Sequence, residues 1–517
     1  MIRRLFIALL ALLAPAAAWG QDERGWHEAS SKHFVVYADG LAENARKLAD
    51  QLERFDAALR KIRGLPDPPL GPANRLTVIQ LDDQGDIARL AGRSDVAGFY
   101  SGRASGSYAF VPRRVGDGSR FAISPDAVLF HEYAHHFMLA NYPGAFPAWF
   151  VEGFAEFHAT AKFERDGSLS LGQPAYYRGY GLLAGKPLPL EIMLTGEYDK
   201  LTDQQLDALY GRGWLLLHYL TFEPTRRGQL AAYLNGVGRG TGAGEAARAA
   251  FGDLRTLDRE LDRYLGKRLS YWTLASTAMP TPEVAVRRLS SAEEAIMPVR
   301  IRSKRGVDAK EAAKVVAAAR KVAARYPANG LVQVTLAEAE YDVGEYARAE
   351  AAADAALKLD PRHAEALIYK GKARMAALAK TGGDAAAWRS VRQLFTAANK
   401  LDPEDPEPLV LFYESFIAQD AKPTANAVKG LNYALDLAPQ DLGLRFTVAR
   451  QYLVDGKGAD AKAVLAPAAY APHRGETATF ARAIIAKIDE AGPAVALAEA
   501  DAAAKAREAL AGAPTPR

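Results

Sequence analysis

The chain has no cysteine in its 517 residues. That absence excludes a disulfide framework, a thiolate metal site and a lipid-attachment cysteine, so any metal must be held by His, Asp or Glu. Histidine is also sparse, with nine in all, which makes any close grouping of imidazoles informative. Neither sign of charge is in marked excess: 65 Lys and Arg stand against 61 Asp and Glu, a formal +4. The value falls to +2 once a leader carrying Arg3 and Arg4 is removed. Such a balance calls for neither nucleic acid nor an anionic membrane as a partner. The Gly/Ser turn at 102–107 is no phosphate loop, since it has no lysine-serine pair and no helix behind it.

The chain has only one long apolar run, at its start. In MIRRLFIALLALLAPAAAWGQ, Arg3 and Arg4 precede an apolar stretch from Leu5 to Leu13, and Ala18 and Gly20 supply small residues before a cut at Gly20/Gln21. This has the form of a secretory signal peptide over residues 1–20, and its apolar part is short for a bilayer. It predicts a secreted or periplasmic protein, with the membrane involved only through an uncleaved signal.

A chain of this length divides into two or three domains. From Trp26 the pattern is mixed: strand-like HFVVYAD (33–39), a helical stripe over 41–63, strand-like RLTVIQL (75–81) and a short helix over 86–91. FYS and YAFVP then flank the Gly/Ser turn as a hairpin. Ser124 and Asp126 around Pro125 open a helix that closes near Tyr142, and Pro147 opens the next, through Thr160. Helical spacing returns at 203–222, 226–236, 244–251 and 255–268. Residues 275–308 carry prolines and charge without sustained period and read as a linker.

Beyond it the chain becomes alanine-rich and repetitive. LKLDP (357–361), NKLDP (399–403) and LDLAP (435–439) align by their prolines, and Pro327 precedes the first by 34 residues. That is the period of the tetratricopeptide repeat; the later spacings are 42 and 36. Residues 309–490 therefore read as an all-α tetratricopeptide-like solenoid, against a plain alanine-rich bundle as the alternative. The tail, 491–517, reads as a helix fraying into disorder.

The chemistry concentrates in HEYAHHFMLANYPGAFPAWFVEGFAEFHAT, residues 131–160. His131 and His135 stand four apart and share a helix face with Glu132 beside them, the HExxH pattern. Sixteen residues intervene before Glu152, and Glu156 follows four further on. Two imidazoles and a carboxylate give zinc a tripod with an open fourth position, the mark of a catalytic site. Glu132, beside the metal, can then take a proton from an activated water. His136 and His158 fall off these faces and read as structural.

HEYAH followed by WFVEGFAE resembles the gluzincin zinc metallopeptidases, in particular the HExxH…WLNEGFA arrangement of the aminopeptidase N type and its smaller relatives. The resemblance implies an α+β catalytic domain over 21–274, with Zn2+ on His131, His135 and Glu152 and Glu132 as base. It also implies Glu156 as the carboxylate that orients a ligand histidine, and Tyr210 as the donor to the tetrahedral oxyanion, with His218 as the alternative donor. The sequence departs from that family in three places. The interval before Glu152 is short, valine replaces asparagine at 151, and GRASGSYAFVP lacks the glutamate with which aminopeptidases read a free amino terminus. The last favours an endopeptidase, with Tyr108–Val111 either an edge strand for an extended substrate or an ordinary hairpin strand. The expected function is an exported zinc metallopeptidase acting on a peptide or protein substrate, its repeats binding a protein partner or guiding substrate. The alternatives are a non-catalytic interaction scaffold with a vestigial metal domain, and a hydrolase of non-peptide amides.

Overall fold

A computed structural model of the chain describes residues 24–119, 121–142, 144–183, 188–196, 202–470 and 475–512; the expected leader and the last residues of the tail lie outside them. The N-terminal half opens with β1 (Gly25–Ser30) and β2 (Phe34–Gly40), followed by α1 (Ala42–Arg63), β3 (Leu76–Asp83), α2 (Gln84–Ala91), β4 (Phe99–Ser101) and β5 (Tyr108–Arg114). In α1, Leu48, Leu52, Phe55 and Leu59 recur at helical spacing and are buried. Gly64 ends the helix at φ 64, its N–H reaching the carbonyls of Arg60 and Lys61. Phe34, Val36 and Ala38 alternate inward from β2 onto that stripe.

The strands form one sheet in the order β4-β5-β3-β2-β1-β9, the last being β9 (Ala285–Arg288). β2, β3 and β5 run parallel, while β4 pairs antiparallel with β5 in the expected hairpin. β5 therefore lies between β4 and β3 and is not an edge: Tyr108 to Val111 have partners on both sides, and the open edge is β4. The hairpin residues could be recognised from sequence, but which of its strands a third would join depends on the distant β3.

Helices α3 (Pro125–Asn141) and α4 (Ala148–Ala159) follow, then β6 (Lys162–Phe163), β7 (Leu169–Leu171), α5 (Gly179–Leu183), α6 (Leu190–Thr195) and α7 (Asp203–Phe222). After α8 (Gln229–Gly238), α9 (Ala243–Phe251) and α10 (Leu254–Leu265), β8 (Trp272–Leu274) closes a second sheet, β6-β7-β8. The Ser124 hydroxyl accepts from the Ala127 N–H and Pro125 sits in the first turn, so α3 starts where its cap dictates. All of α4 is buried, from Ala148 to Ala159. A helix buried all round has no polar face, which makes its two carboxylates exceptional.

The stretch 275–308 is not a plain linker. β9 pairs antiparallel with β1 and completes the sheet, and α11 (Ser291–Arg305) is a regular helix with a Ser290/Glu293 capping box. Its period is hard to see because Pro298 interrupts it and because Lys304 is buried as a cation, 2.8 Å from both Glu338 and Glu365. A face buried through ion pairs looks solvated in the sequence.

From α12 (Ala309–Arg325) onward the chain is a helical repeat region: α13 (Gly330–Asp342), α14 (Tyr346–Leu359), α15 (Ala364–Thr381), α16 (Ala385–Leu401), α17 (Pro406–Ala418), α18 (Ala425–Leu437), α19 (Leu442–Val454), α20 (Gly458–Ala469), α21 (Glu476–Ala491) and α22 (Pro493–Gly512). Consecutive helices pack in pairs, and α13, α15 and α17 also pack on one another, the nearest-neighbour pattern of a solenoid. The aligned prolines 361, 403 and 439 lie just beyond the ends of α14, α16 and α18. The spacing of 42 arises mainly because α15 and α16 are longer, 18 and 17 residues against 13 and 14 for the pair before. No helix among the described residues is long and apolar enough to cross a membrane.

Candidate metal centre

His131 and His135 project from α3 and Glu152 from α4, and their donor atoms meet. The two Nε2 atoms are 3.1 Å apart, and Glu152 Oε2 lies 3.5 Å from His131 Nε2 and 3.7 Å from His135 Nε2. Zinc bonds of 2.0–2.1 Å at tetrahedral angles put donors about 3.3 Å from one another. The three observed separations bracket that value, so the residues fit the ion without rearrangement.

The other side of the His131 ring is held as well. Its Nδ1 is 3.3 Å from Glu156 Oε1. Glu156 also accepts from the Tyr177 hydroxyl at 2.9 Å and from Arg178 Nη2 at 2.6 Å. Burial pushes the Glu156 carboxyl up, but Arg178 and His131 outweigh it and hold the group well below the usual carboxylate range. Glu156 therefore stays an anion and fixes both the ring and its tautomer. His131 itself is pushed down by burial and up by Glu152 and Glu156, and with only a proton to share it settles at about 10. Those same carboxylates would offset the charge of a divalent cation.

Glu132 is buried beside the triad, and burial, its largest influence, raises its carboxyl to about 7. A base poised near neutrality can both take and return a proton. The backbone of Tyr100, on the open edge strand, lies close enough to lower that value somewhat. Tyr210 comes in from α7, its ring centroid 6.4 Å from that of His131. The Glu152 charge, more than burial, raises its phenol well above the ordinary value, so the proton stays on and is available for donation. The Arg178 guanidinium lies 4.8 Å over the Tyr210 ring and bonds Asp207 at 3.0 Å, which ties the tyrosine to Glu156.

His218 is elsewhere. It is wholly buried on α7, bonded to Tyr264 and to the carbonyls of Gly172 and Ser270, and it packs the core rather than serving as the alternative donor. His136 and His158 are structural, His136 beside the Tyr100 hydroxyl at 3.0 Å and His158 on the Phe154 carbonyl at 2.6 Å. Tyr177, Arg178 and Tyr100 were not legible as site residues. The first two sit in a turn-rich segment, and their only signal in sequence is the aromatic and basic cluster YYRGY at 176–180.

Helices α4 and α7 cross at two glycines. A Cβ on Gly153 would stand 2.7 Å from the Gly213 carbonyl oxygen, and one on Gly213 would stand 2.9 Å from that of Trp149. This close approach brings Tyr210, three residues before Gly213, toward Glu152, one before Gly153.

No family model matches the chain, and no curated protein matches it. Among solved structures it is similar to a thermophilic TPR protein of Thermus thermophilus, at 16% identity over 34% of this chain and 89% of that one, with a TM-score of 0.29. It is similar also to a MamA RS-1 ArsTM double mutant, at 16% identity over 34% of this chain and 88% of that one, with a TM-score of 0.25.

Proposed function

We propose that the chain is an exported, zinc-dependent metallopeptidase of the gluzincin kind, an endopeptidase, with Zn2+ held by His131, His135 and Glu152. The observation that carries this reading is the donor triangle of 3.1, 3.5 and 3.7 Å, built between α3 and the wholly buried α4. When bound there, the ion supplies a Lewis acid for a carbonyl and lowers the pKa of water. Glu132 takes the proton of the attacking water and returns it to the leaving amine. The Tyr210 phenol, kept protonated by its anionic neighbours, donates to the oxyanion. Glu156 holds His131 in place, and Arg178 keeps Glu156 charged.

The choice of endopeptidase rests on the segment between β4 and β5. It carries no carboxylate to bind a free amino terminus. An extended peptide would instead pair with the open edge of β4.

Metal analysis of the purified protein, with a peptide-library digest of wild type and Glu132→Gln, tests the proposal. One zinc per chain in both proteins and cleavage by wild type alone are expected, with a loss of about 10²–10⁴-fold in rate for the variant. A protein that holds no zinc, or whose Glu132→Gln form cleaves as fast as wild type, refutes it. Zinc without cleavage of any peptide would leave the interaction scaffold as the working description.

A further inference from the structure

The repeat region touches the metal half at one place in particular, the loop between β4 and β5. Ala104 is buried in the same apolar cluster as Leu431, Ala438 and Leu444 of the repeats, and its N–H donates to Asp441 Oδ2 at 2.7 Å. The Arg103 guanidinium donates to the carbonyls of Lys304 and Arg305 at 3.3 and 2.9 Å, at the C-terminal end of α11, where carbonyls lack helical partners. Gln440, buried in the turn between α18 and α19, donates from Nε2 to Ser107 Oγ at 3.2 Å. Gly102 passes so close to that turn that a Cβ would lie 2.7 Å from Gln440 Cγ and 2.6 Å from the Tyr100 hydroxyl. A second contact lies further along the repeats, where the Ala73 N–H donates to Asp402 and the Asn74 side chain to the Glu404 carbonyl.

From this grip a short hydrogen-bonded path leads to the metal helix. Ser107 Oγ is 3.4 Å from the Tyr100 hydroxyl, which is 3.0 Å from His136 Nδ1 on α3. Strand β4 itself packs against α3, and a Cβ on Gly98, just before the strand, would stand 3.3 Å from Glu132 Cγ. Strand β4 is only three residues long and is paired on one side. A strand so short has little hold of its own, and its position depends on what grips its ends.

We propose that the helical repeats act in cis: the turn at 438–441 grips the β4–β5 loop and thereby sets the position of strand β4 on α3, the helix that carries Glu132. The partner of this face of the solenoid is the chain's own N-terminal half. Movement of the repeats at Gln440 and Asp441 is transmitted to the edge on which a substrate would lie. The consequence for catalysis rests on the metallopeptidase reading; the mechanical coupling does not.

Hydrogen–deuterium exchange on the full-length protein tests the coupling, with Gln440→Ala to remove the bond to Ser107 and Gly102→Ala to wedge the loop off the turn. Both variants are expected to speed exchange of peptides covering 99–107 at least tenfold. Peptides covering β3 and α4 should stay within twofold of wild type, which a general loss of stability would not allow. Unchanged exchange at 99–107 in Gln440→Ala, or equal acceleration at β3, overturns the proposal. Zinc content measured on the same samples separates the two readings. Coupled exchange in a protein without zinc sinks the peptidase and leaves the brace, whereas uncoupled exchange in a zinc-loaded protein sinks the brace alone.

Discussion

Replacing Gly153 by Ala adds one methyl group at the point where α4 and α7 cross. It would sit 2.7 Å from the carbonyl oxygen and 2.8 Å from the carbonyl carbon of Gly213, both backbone atoms that cannot turn aside. Ordinary contact begins at about 3.4 Å, so the helices must part by roughly 0.7 Å, and overpacking of this kind costs about 1–3 kcal/mol. The shift falls directly on the site, because it moves Tyr210 away from Glu152, and displacement of a reacting group by about 1 Å can cost 10²-fold in rate. Trp149 and Trp214 lie beside the crossing and are buried, so urea denaturation followed by tryptophan fluorescence reports the first effect. Peptide cleavage with zinc analysis reports the second, with the metal retained because all three ligands lie on α3 and α4. Gly238→Ala is the control: Gly238 ends helix α8 with no atom within 4 Å of an added Cβ, so the same change there should be neutral or slightly stabilising. If Gly153→Ala is as stable as the control and cleaves as fast as wild type, the crossing does not place Tyr210 and the argument fails.

Tyr210→Phe should keep zinc and fold while the cleavage rate falls about 10²–10³-fold, the range for loss of one oxyanion donor; steady-state kinetics with metal analysis measures this, and an unchanged rate removes the tyrosine from the mechanism. Glu156→Gln leaves Arg178 short of its main anionic partner and His131 without its carboxylate. A stability loss of about 3 kcal/mol and zinc binding about 10–100-fold weaker are expected from denaturation and competitive chelator titration. A third outcome concerns pH. His33 Nδ1 is 2.7 Å from Glu53 and its Nε2 2.9 Å from Asp67; burial pushes its pKa down, but these carboxylates outweigh it and raise it above 6.5. Glu53 and Asp67 are pushed up by burial but held below 4.5 and 3.8, Glu53 by His33 and Asp67 by Lys32 and His33. The histidine's contribution is therefore complete below pH 6.5 and lost as pH rises through its folded value, while the carboxylates' is complete above about 4.5 and lost as pH falls. Thermal unfolding across pH should show this network strongest between those limits, and His33→Gln should flatten the alkaline side; an unaltered profile would contradict it.

Helices α1 to α4, α7 to α10 and the repeats were legible in the sequence, unlike α5, α6 and α11, because they rest on local chemistry: the caps at Ser124 and Pro147, the stripe of α1 and the prolines that end α14, α16 and α18. The candidate donors could be picked out for the same reason, since spacing of four on a helix puts His131 with His135 and Glu152 with Glu156 on shared faces. What only the tertiary structure decided is where those faces point and what meets them. β5 is internal because β3, distant in sequence, pairs with it, and 285–288 is a strand only because β1 lies alongside. Tyr210 reaches the triad because two glycines let α4 and α7 approach, and Arg178 reaches Glu156 from the turn before α5. Strand β4 meets α3 at an edge held from the far end of the chain by Gln440 and Asp441. Periodicity and capping act over a few residues and are written in order along the chain, whereas sheet pairing, helix crossings and buried ion pairs join residues tens to hundreds apart.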